Sequence, residues 1–98
     1  GVGPTLTQYG VSGVLADPRL SVYQGTAVIG QNDNWSADPT AATAVAAAAT
    51  RVGAFPLPAG SADASLVMTL APGPYSVQIS GVNGATGIAL VEIYEIPE

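Results

Sequence analysis

Three residue types that carry much of protein chemistry are missing from this 98-residue chain, which has no histidine, no cysteine and no lysine. Without histidine or cysteine there is no Ser-His or Cys-His nucleophile pair and no ordinary zinc, copper or haem site. The missing lysine excludes a Schiff base, a P-loop and a lysine-based isopeptide cross-link. We therefore expect a protein that is not an enzyme and that needs no cofactor, with calcium as the exception considered below.

Charge is also scarce, at 9% of the residues, and most of it is negative. Two Lys or Arg residues stand against seven acidic ones, which gives a net charge of -5. That balance would repel a phosphate backbone, so nucleic acid is not an expected partner. The longest apolar run, residues 41–49, is too short to cross a membrane, so no membrane insertion is expected. Trypsin-type cleavage sites occur only at Arg19 and Arg51, which favours an extracellular or cell-surface location.

Alternating apolar and polar residues near the N-terminal third predict a β-hairpin. Leu20 and Val22 alternate with polar neighbours, and Ala27 and Ile29 repeat the pattern after a turn near Gln24-Gly25. A period of two residues places these side chains on one face of a strand pair. We expect that face to lie in the core and the opposite face to be wet.

Three later segments predict further strands, at residues 65–70, 75–80 and 88–95. A turn rich in proline and glycine, residues 71–74, separates the first two. The last segment is apolar on both faces, as a central strand covered on two sides would be. Together these five segments predict a single all-β domain over residues 1–98.

One alanine-rich segment breaks the β pattern and predicts a helix over residues 39–52. Asp38 suits the N-cap, Pro39 the first helical position, Arg51 the negative end of the helix dipole, and Gly53 the position after the C-cap. A low-complexity linker is the alternative. The side chains are too small to form their own core, so close packing on a sheet is expected through Val45, Ala48, Ala49 and Val52.

The densest polar cluster in the chain is a candidate calcium site made of Asn32, Asp33, Asn34 and Asp38. Their oxygens are the hard ligands that calcium prefers. The alternative is a loop in which these side chains bond their own backbone while Trp35 packs beneath. The spacing lacks the alternation and the distal glutamate of an EF-hand, which favours the loop.

Trp35 is also a candidate binding residue, because it is the only tryptophan and follows the polar cluster. Together with nearby tyrosines it would form a platform for a sugar ring. Core packing is the alternative, and the aromatic content of 6% is ordinary for the interior of a small β domain. The sequence favours core packing.

An enzymatic site has little support in the sequence. Glu92 and Glu95 are three residues apart in a predicted strand, so their side chains point to opposite faces and do not form a carboxylate pair. Catalysis would require a pair made by the fold, for example Asp33 with Asp63. Asp63 is most simply a turn residue before the strand that starts at Ser65.

Several blocks of the sequence, spread almost from end to end, resemble a repeat of large secreted proteins from verrucomicrobia and related bacteria. The blocks are GPTL at 3–6, YGVSGVLADPRL at 9–20, NDNW at 32–35, LAPGPY at 70–75 and GIALVEIY at 87–94. The repeat is in turn similar to the pre-peptidase C-terminal type of β-sandwich. The resemblance implies a jelly-roll-like antiparallel β-sandwich used as a non-catalytic extracellular module, often in tandem or polymeric arrays.

In that family further strands usually precede the GPTL block, so the sheet is expected to have an open edge that another copy fills. We therefore predict a structural module of a fibre, stalk or surface layer that self-associates through β-edges, with copies of itself as partners. The alternative is an adhesion module that binds protein or cell-surface polysaccharide. The predicted assembly edges are residues 2–6 and 88–96, represented by Val2, Pro4, Leu6, Leu90, Ile93 and Ile96.

Overall fold

A computed structural model describes residues 1–96 of the chain. Its regular elements are strands β1 (Pro18–Gln24), β2 (Ala27–Asn32) and β3 (Ser76–Gly81), helix α1 (Pro39–Val52), and 3-10 helices at Pro4–Tyr9 and Val82–Gly84. The predicted all-β, jelly-roll-like sandwich is therefore wrong. The described residues form a small fold of mixed α and β content with one three-stranded antiparallel sheet.

The predicted hairpin is confirmed and forms two-thirds of this sheet, whose strand order is β2-β1-β3. The pair Gln24 and Ala27 closes the turn, and Gly25 adopts a φ of 63°, which a glycine reaches without steric cost. The pairing of β1 with β2 shifts register after Val22, which leaves Ile29 as an extra residue in β2. β1 is central because both neighbours pair with it.

The two faces of the sheet differ in polarity in β1 and β3, but the expected core face of β2 is wrong, because Ala27 and Ile29 are exposed. The opposite face is not wet throughout, since Ser21 is buried. In β1 and β3 the pairs Leu20 with Ile79 and Val22 with Val77 place aliphatic side chains on one face. The residues between them, such as Ser21 opposite Gln78, form the polar face. The fold thus has one apolar sheet face that needs a cover.

Helix α1 has the predicted bounds, Pro39–Val52, and the predicted caps. Asp38 accepts a hydrogen bond from the Thr40 amide, and Gly53 ends the helix with a left-handed φ of 74°. The expected close packing on the sheet is wrong. The inner side of α1 and the apolar sheet face line one common cavity, so a space lies between them.

Two predicted strands do not form. Residues 65–70 carry no strand pairing, and the Ser65 amide donates instead to the side chain of Asn32 at 3.0 Å. In residues 88–95 only Ile88 and Leu90 take part in isolated bridges, to Val14 and Val2. Both segments have strand propensity, but a strand also needs a neighbouring strand in register, and neither segment pairs with β2 or β3.

The first residues of the chain are bound to two later segments by backbone hydrogen bonds. The Gly1 nitrogen donates to the Ala64 carbonyl, and the Ala64 amide donates to the Gly1 carbonyl, both at 2.8 Å. On the other side, Val2 and Leu90 exchange two hydrogen bonds of 2.7 and 2.8 Å. The first residues therefore link the extended segments around residues 64 and 90. Among the residues described, no helix has the length and apolar character to span a membrane.

Candidate functional site

An apolar cleft of about 710 Å³ lies in the described part of the chain. It lies against the aliphatic sheet face, the inner side of α1, the segment that follows α1, and the extended segments 64–70 and 92–96. Among residues 1–96, Glu92 is the one charged side chain in its wall. The lining therefore suits an apolar occupant and offers almost nothing to recognise a charged one.

The floor of the cleft is made of buried apolar side chains. Leu20, Val22, Val45 and Trp35 are all buried there. The Trp35 indole nitrogen donates to the Pro58 carbonyl at 2.9 Å, and its backbone amide donates to the Asp63 carbonyl, also at 2.9 Å. These bonds hold the indole in place and satisfy its polar atom.

The rim of the cleft is different, because its apolar side chains are exposed. They come from the two extended segments and include Val67, Met68, Leu70, Ile93 and Tyr94. Met68 reaches back over the sheet, since a Cβ added at Gly30 would lie 2.7 Å from its sulfur. The rim is thus an apolar surface that the described residues leave uncovered.

Asp63 anchors the segment that forms one wall of the cleft. Its side chain is 0% exposed, and it accepts hydrogen bonds from the Gly3 and Thr5 amides at 2.8 and 3.3 Å. The Thr5 hydroxyl also donates to it, and the Ser61 hydroxyl does so at 2.7 Å. A buried carboxylate with this set of donors ties the first residues of the chain to the middle.

Burial by itself would raise the pKa of Asp63, because it disfavours the charged form. The hydrogen bonds from Thr5, Ser61 and Gly3 stabilise the carboxylate more strongly and hold its pKa below the ordinary value. Asp63 is therefore ionised at neutral pH. That charge state suits a structural anchor and is the wrong one for a general acid.

The predicted calcium cluster is a loop whose side chains bond within the protein. Asn32 accepts from the Ser65 amide, and Asn34 donates to the Asp33 carboxylate at 3.3 Å. Asp38 is committed to the helix N-cap. No group of three or more His, Cys, Asp or Glu side chains that could hold a metal ion occurs among residues 1–96. Calcium bound partly through asparagine oxygens is not tested by that observation and stays a prediction.

The other predicted site residues are separated by the fold. Trp35 is buried, so its ring presents no free platform to solvent. Glu92 lies in the wall of the cleft and accepts from the Tyr94 hydroxyl, whereas Glu95 is outside the lining. Asp63 is occupied by its four donors. Each of these groups already has a structural role or stands alone.

The predicted assembly edges divide into two groups. Val2 and Leu90 pair with each other, Pro4 begins a 3-10 helix, and the side chain of Leu6 is buried. Val2 and Leu6 are thus buried, whereas Pro4 is half-buried and Leu90 is 38% exposed. Ile93 and Ile96, in contrast, line the cleft, and Ile93 is 73% exposed.

The unpaired edges of the sheet were not among the predicted assembly residues. In the described part of the chain, β2 and β3 each pair with β1 alone, so each has one edge without a neighbouring strand. Neither strand contains a charged residue or a proline. One feature of the sequence could have indicated these unpaired edges, because the two strands are short, uncharged and rich in Ser, Gly and Gln.

Asp63 and the rim segment 65–70 were also missed as functional or structural centres. Asp63 stands among small residues and resembles an ordinary turn residue, because its sequence neighbours do not indicate that Gly3 and Thr5 are its partners.

Comparison of the chain with protein-family models, curated proteins and solved structures found no significant match. The proposals below therefore depend on the geometry and on the residues themselves.

Proposed function

We propose that this chain is a non-catalytic structural module that self-associates through β-edges, with further copies of itself as partners, outside the cell or at its surface. The observation that carries the proposal is the pair of open sheet edges, β2 and β3. An open edge presents a row of unpaired N–H and C=O groups that another strand readily satisfies.

Natural monomers protect such edges with lysine, proline or inward-pointing charges. Here β2 reads AVIGQN and β3 reads SVQISG, and neither has any of these. The register shift at Ile29 would discourage pairing, but it affects one edge. The strand edges are therefore suited to continuing the sheet from one copy to the next.

The surface composition supports the same proposal. A free soluble domain carries about a quarter charged residues, whereas this chain has 9%. Large apolar side chains are exposed on β2 as well as around the cleft, with Val28 at 46%. The resemblance to tandem modules of secreted proteins and the scarcity of trypsin-type sites agree with an extracellular structural role.

The proposal is tested by adding a negative charge to the β2 edge. In a chain of net charge -5, Val28→Glu places a further negative group between the associating copies, so association should weaken by at least tenfold. Sedimentation velocity over a dilution series measures this, with negative-stain microscopy to reveal fibres. Ala47→Glu is the matched control, since it adds the same charge on the exposed side of α1.

The wild-type chain should assemble as its concentration rises, and the Ala47→Glu variant should follow it. A monodisperse wild-type monomer at the highest concentration reached would contradict the proposal. Equal assembly of the Val28→Glu and Ala47→Glu variants would show that β2 is not the edge in use.

A further inference from the structure

We propose that a second copy of this chain closes the apolar cleft, and that residues 65–70 and 91–96 become paired strands in that contact. This rests on the proposed self-association and names the surface and the segments that a partner copy would use. The open edges of the three-stranded sheet are a separate surface, so the two proposals are separable by experiment.

The area of exposed surface argues for a partner of protein size. The chain exposes 6050 Å² at a mass of 9.7 kDa. A folded monomer of that mass is expected to expose about 5,100 Å². The excess, roughly 900 Å², is close to the ~800 Å² that each partner buries in a standard protein interface. The molecule thus has an uncovered surface about as large as one side of a dimer contact.

The backbone of the rim gives the partner something to pair with. Apart from the Ser65 amide, no backbone hydrogen bond of residues 65–70 or 91–96 is made to another described residue. Both segments are extended and rich in Val, Ile, Leu and Tyr, which favour strands. Strand addition would satisfy these groups and place alternate side chains into the cleft.

The chemistry of the cleft favours another copy over a charged or sugar ligand. Its wall is mostly aliphatic and aromatic, and Glu92 is its one charged side chain in the described part of the chain. The same rim, built from Val67, Met68, Leu70, Ile93 and Tyr94, is exposed on every copy. A twofold axis, the commonest symmetry of protein dimers, would bring the rims of two copies into contact with each other. A small apolar molecule is the competing occupant, since about 710 Å³ lies within the range of ligand pockets.

Two isoleucines of the same segment form a matched pair for the test. Ile93 is 73% exposed and lines the cleft, whereas Ile88 is 54% exposed and lies outside it. Because both are exposed, aspartate at either position leaves the monomer folded, which far-UV circular dichroism checks. Val67→Asp, on the other rim segment, is the second cleft variant in case Ile93→Asp does not fold.

Sedimentation velocity on the full chain should show that Ile93→Asp raises the dissociation constant by about 30-fold or more, the loss typical of an interface hot spot. Ile88→Asp should stay within about threefold of wild type. Hydrogen exchange of wild type should slow in residues 65–70 and 91–96 above the dissociation constant, and should not slow in the Ile93→Asp variant.

Three results would overturn this inference. If Ile93→Asp and Val67→Asp assemble like wild type while Val28→Glu does not, the sheet edges act alone and the proposed function survives. If the apolar dye ANS binds the assembled wild-type chain as strongly as the dilute monomer, the cleft stays open and a small molecule is its occupant. If the wild type remains monomeric at every concentration, both the inference and the proposed function fail.

Discussion

Replacement of Asp63 tests the internal anchoring of this fold most directly. Its carboxylate is 0% exposed and accepts four hydrogen bonds. One oxygen receives the amides of Gly3 and Thr5, and the other receives the hydroxyls of Thr5 and Ser61. Since each oxygen has its own kind of donor, Asn and Ala substitutions remove different parts of the arrangement.

The Asp63→Asn variant should keep the contacts and lose the charge. Its carbonyl oxygen still accepts the two amides, and its NH₂ group faces two hydroxyls, which rotate and accept instead of donating. A hydrogen bond to a charged group is worth about 1 kcal/mol more than a neutral one. We expect the free energy of unfolding to fall by about 1–3 kcal/mol.

The Asp63→Ala variant should cost more, because it leaves the amides of Gly3 and Thr5 buried without a partner. Each unsatisfied buried donor costs about 1–3 kcal/mol. We expect a loss of about 3–5 kcal/mol, which is a large share of the stability of a small domain. The hydrogen-bond geometry therefore predicts that the free energy of unfolding decreases from wild type to Asp63→Asn to Asp63→Ala.

Urea unfolding monitored by Trp35 fluorescence measures these differences. Trp35 is buried, and its amide donates to the Asp63 carbonyl, so it reports on the same region. The protein concentration is held low and constant so that association does not add to the apparent stability. Asp33→Ala is the control, because Asp33 accepts a hydrogen bond only from the neighbouring Asn34 side chain. Its free energy of unfolding should fall by about 0.5 kcal/mol or less. An Ala variant as stable as wild type would refute the anchoring role.

The pKa of Asp63 adds a dependence on pH to the same experiment. Because the folded-state pKa is lowered, the stabilisation from the carboxylate is fully present above the unfolded-state value of about 3.9. It is lost as the pH falls through the lower folded-state pKa. The wild type should therefore lose stability more steeply than Asp63→Asn below about pH 4. Parallel curves for the two proteins would contradict the assigned charge state.

Two further substitutions test local packing and capping. Gly3→Ala should lower the free energy of unfolding by about 2–3 kcal/mol, because the added Cβ would lie 2.1 Å from the Leu15 carbonyl oxygen. Gly30→Ala should lower it by about 1 kcal/mol or less, because the added Cβ is closest to the flexible end of Met68. Urea unfolding compares the two variants, and equal losses would contradict the packing at Gly3. Asp38→Ala removes the hydrogen bond that the Thr40 amide donates to the helix N-cap. The free energy of unfolding should fall by about 1 kcal/mol, and the helical circular dichroism signal should decrease. If neither changes, this cap does not stabilise the helix.

Elements that depend on neighbours in sequence were predicted well. Helix α1 has the expected bounds because Asp38, Pro39 and Gly53 act within a few residues of themselves. The hairpin formed because a turn with Gly25 brings two alternating strands together. Asn83 and Gly84 both adopt a positive φ, a conformation that asparagine and glycine accept more readily than other residues. In each case the deciding interactions are local.

Elements that need a distant partner were predicted poorly. Residues 65–70 and 88–95 have the composition of strands, but composition does not supply the neighbour that completes a hydrogen-bonded ladder. β3 pairs with β1, more than fifty residues earlier, and not with the segment before the 71–74 turn. The candidate site was missed for the same reason, since its cleft arises between elements that no local pattern relates.

The sequence by itself determined the hairpin, the capped helix, the apolar and polar sheet faces, and the exclusion of His-, Cys- and Lys-dependent chemistry. These follow from residue type, spacing and backbone preference. Only the tertiary structure decided that Asp63 is buried among hydrogen-bond donors from residues 3, 5 and 61. It also decided that Val2 pairs with Leu90 and that an apolar cleft remains open beside two sheet edges. Such contacts join residues far apart in the chain, and their energy depends on which partner is within reach once the chain has folded.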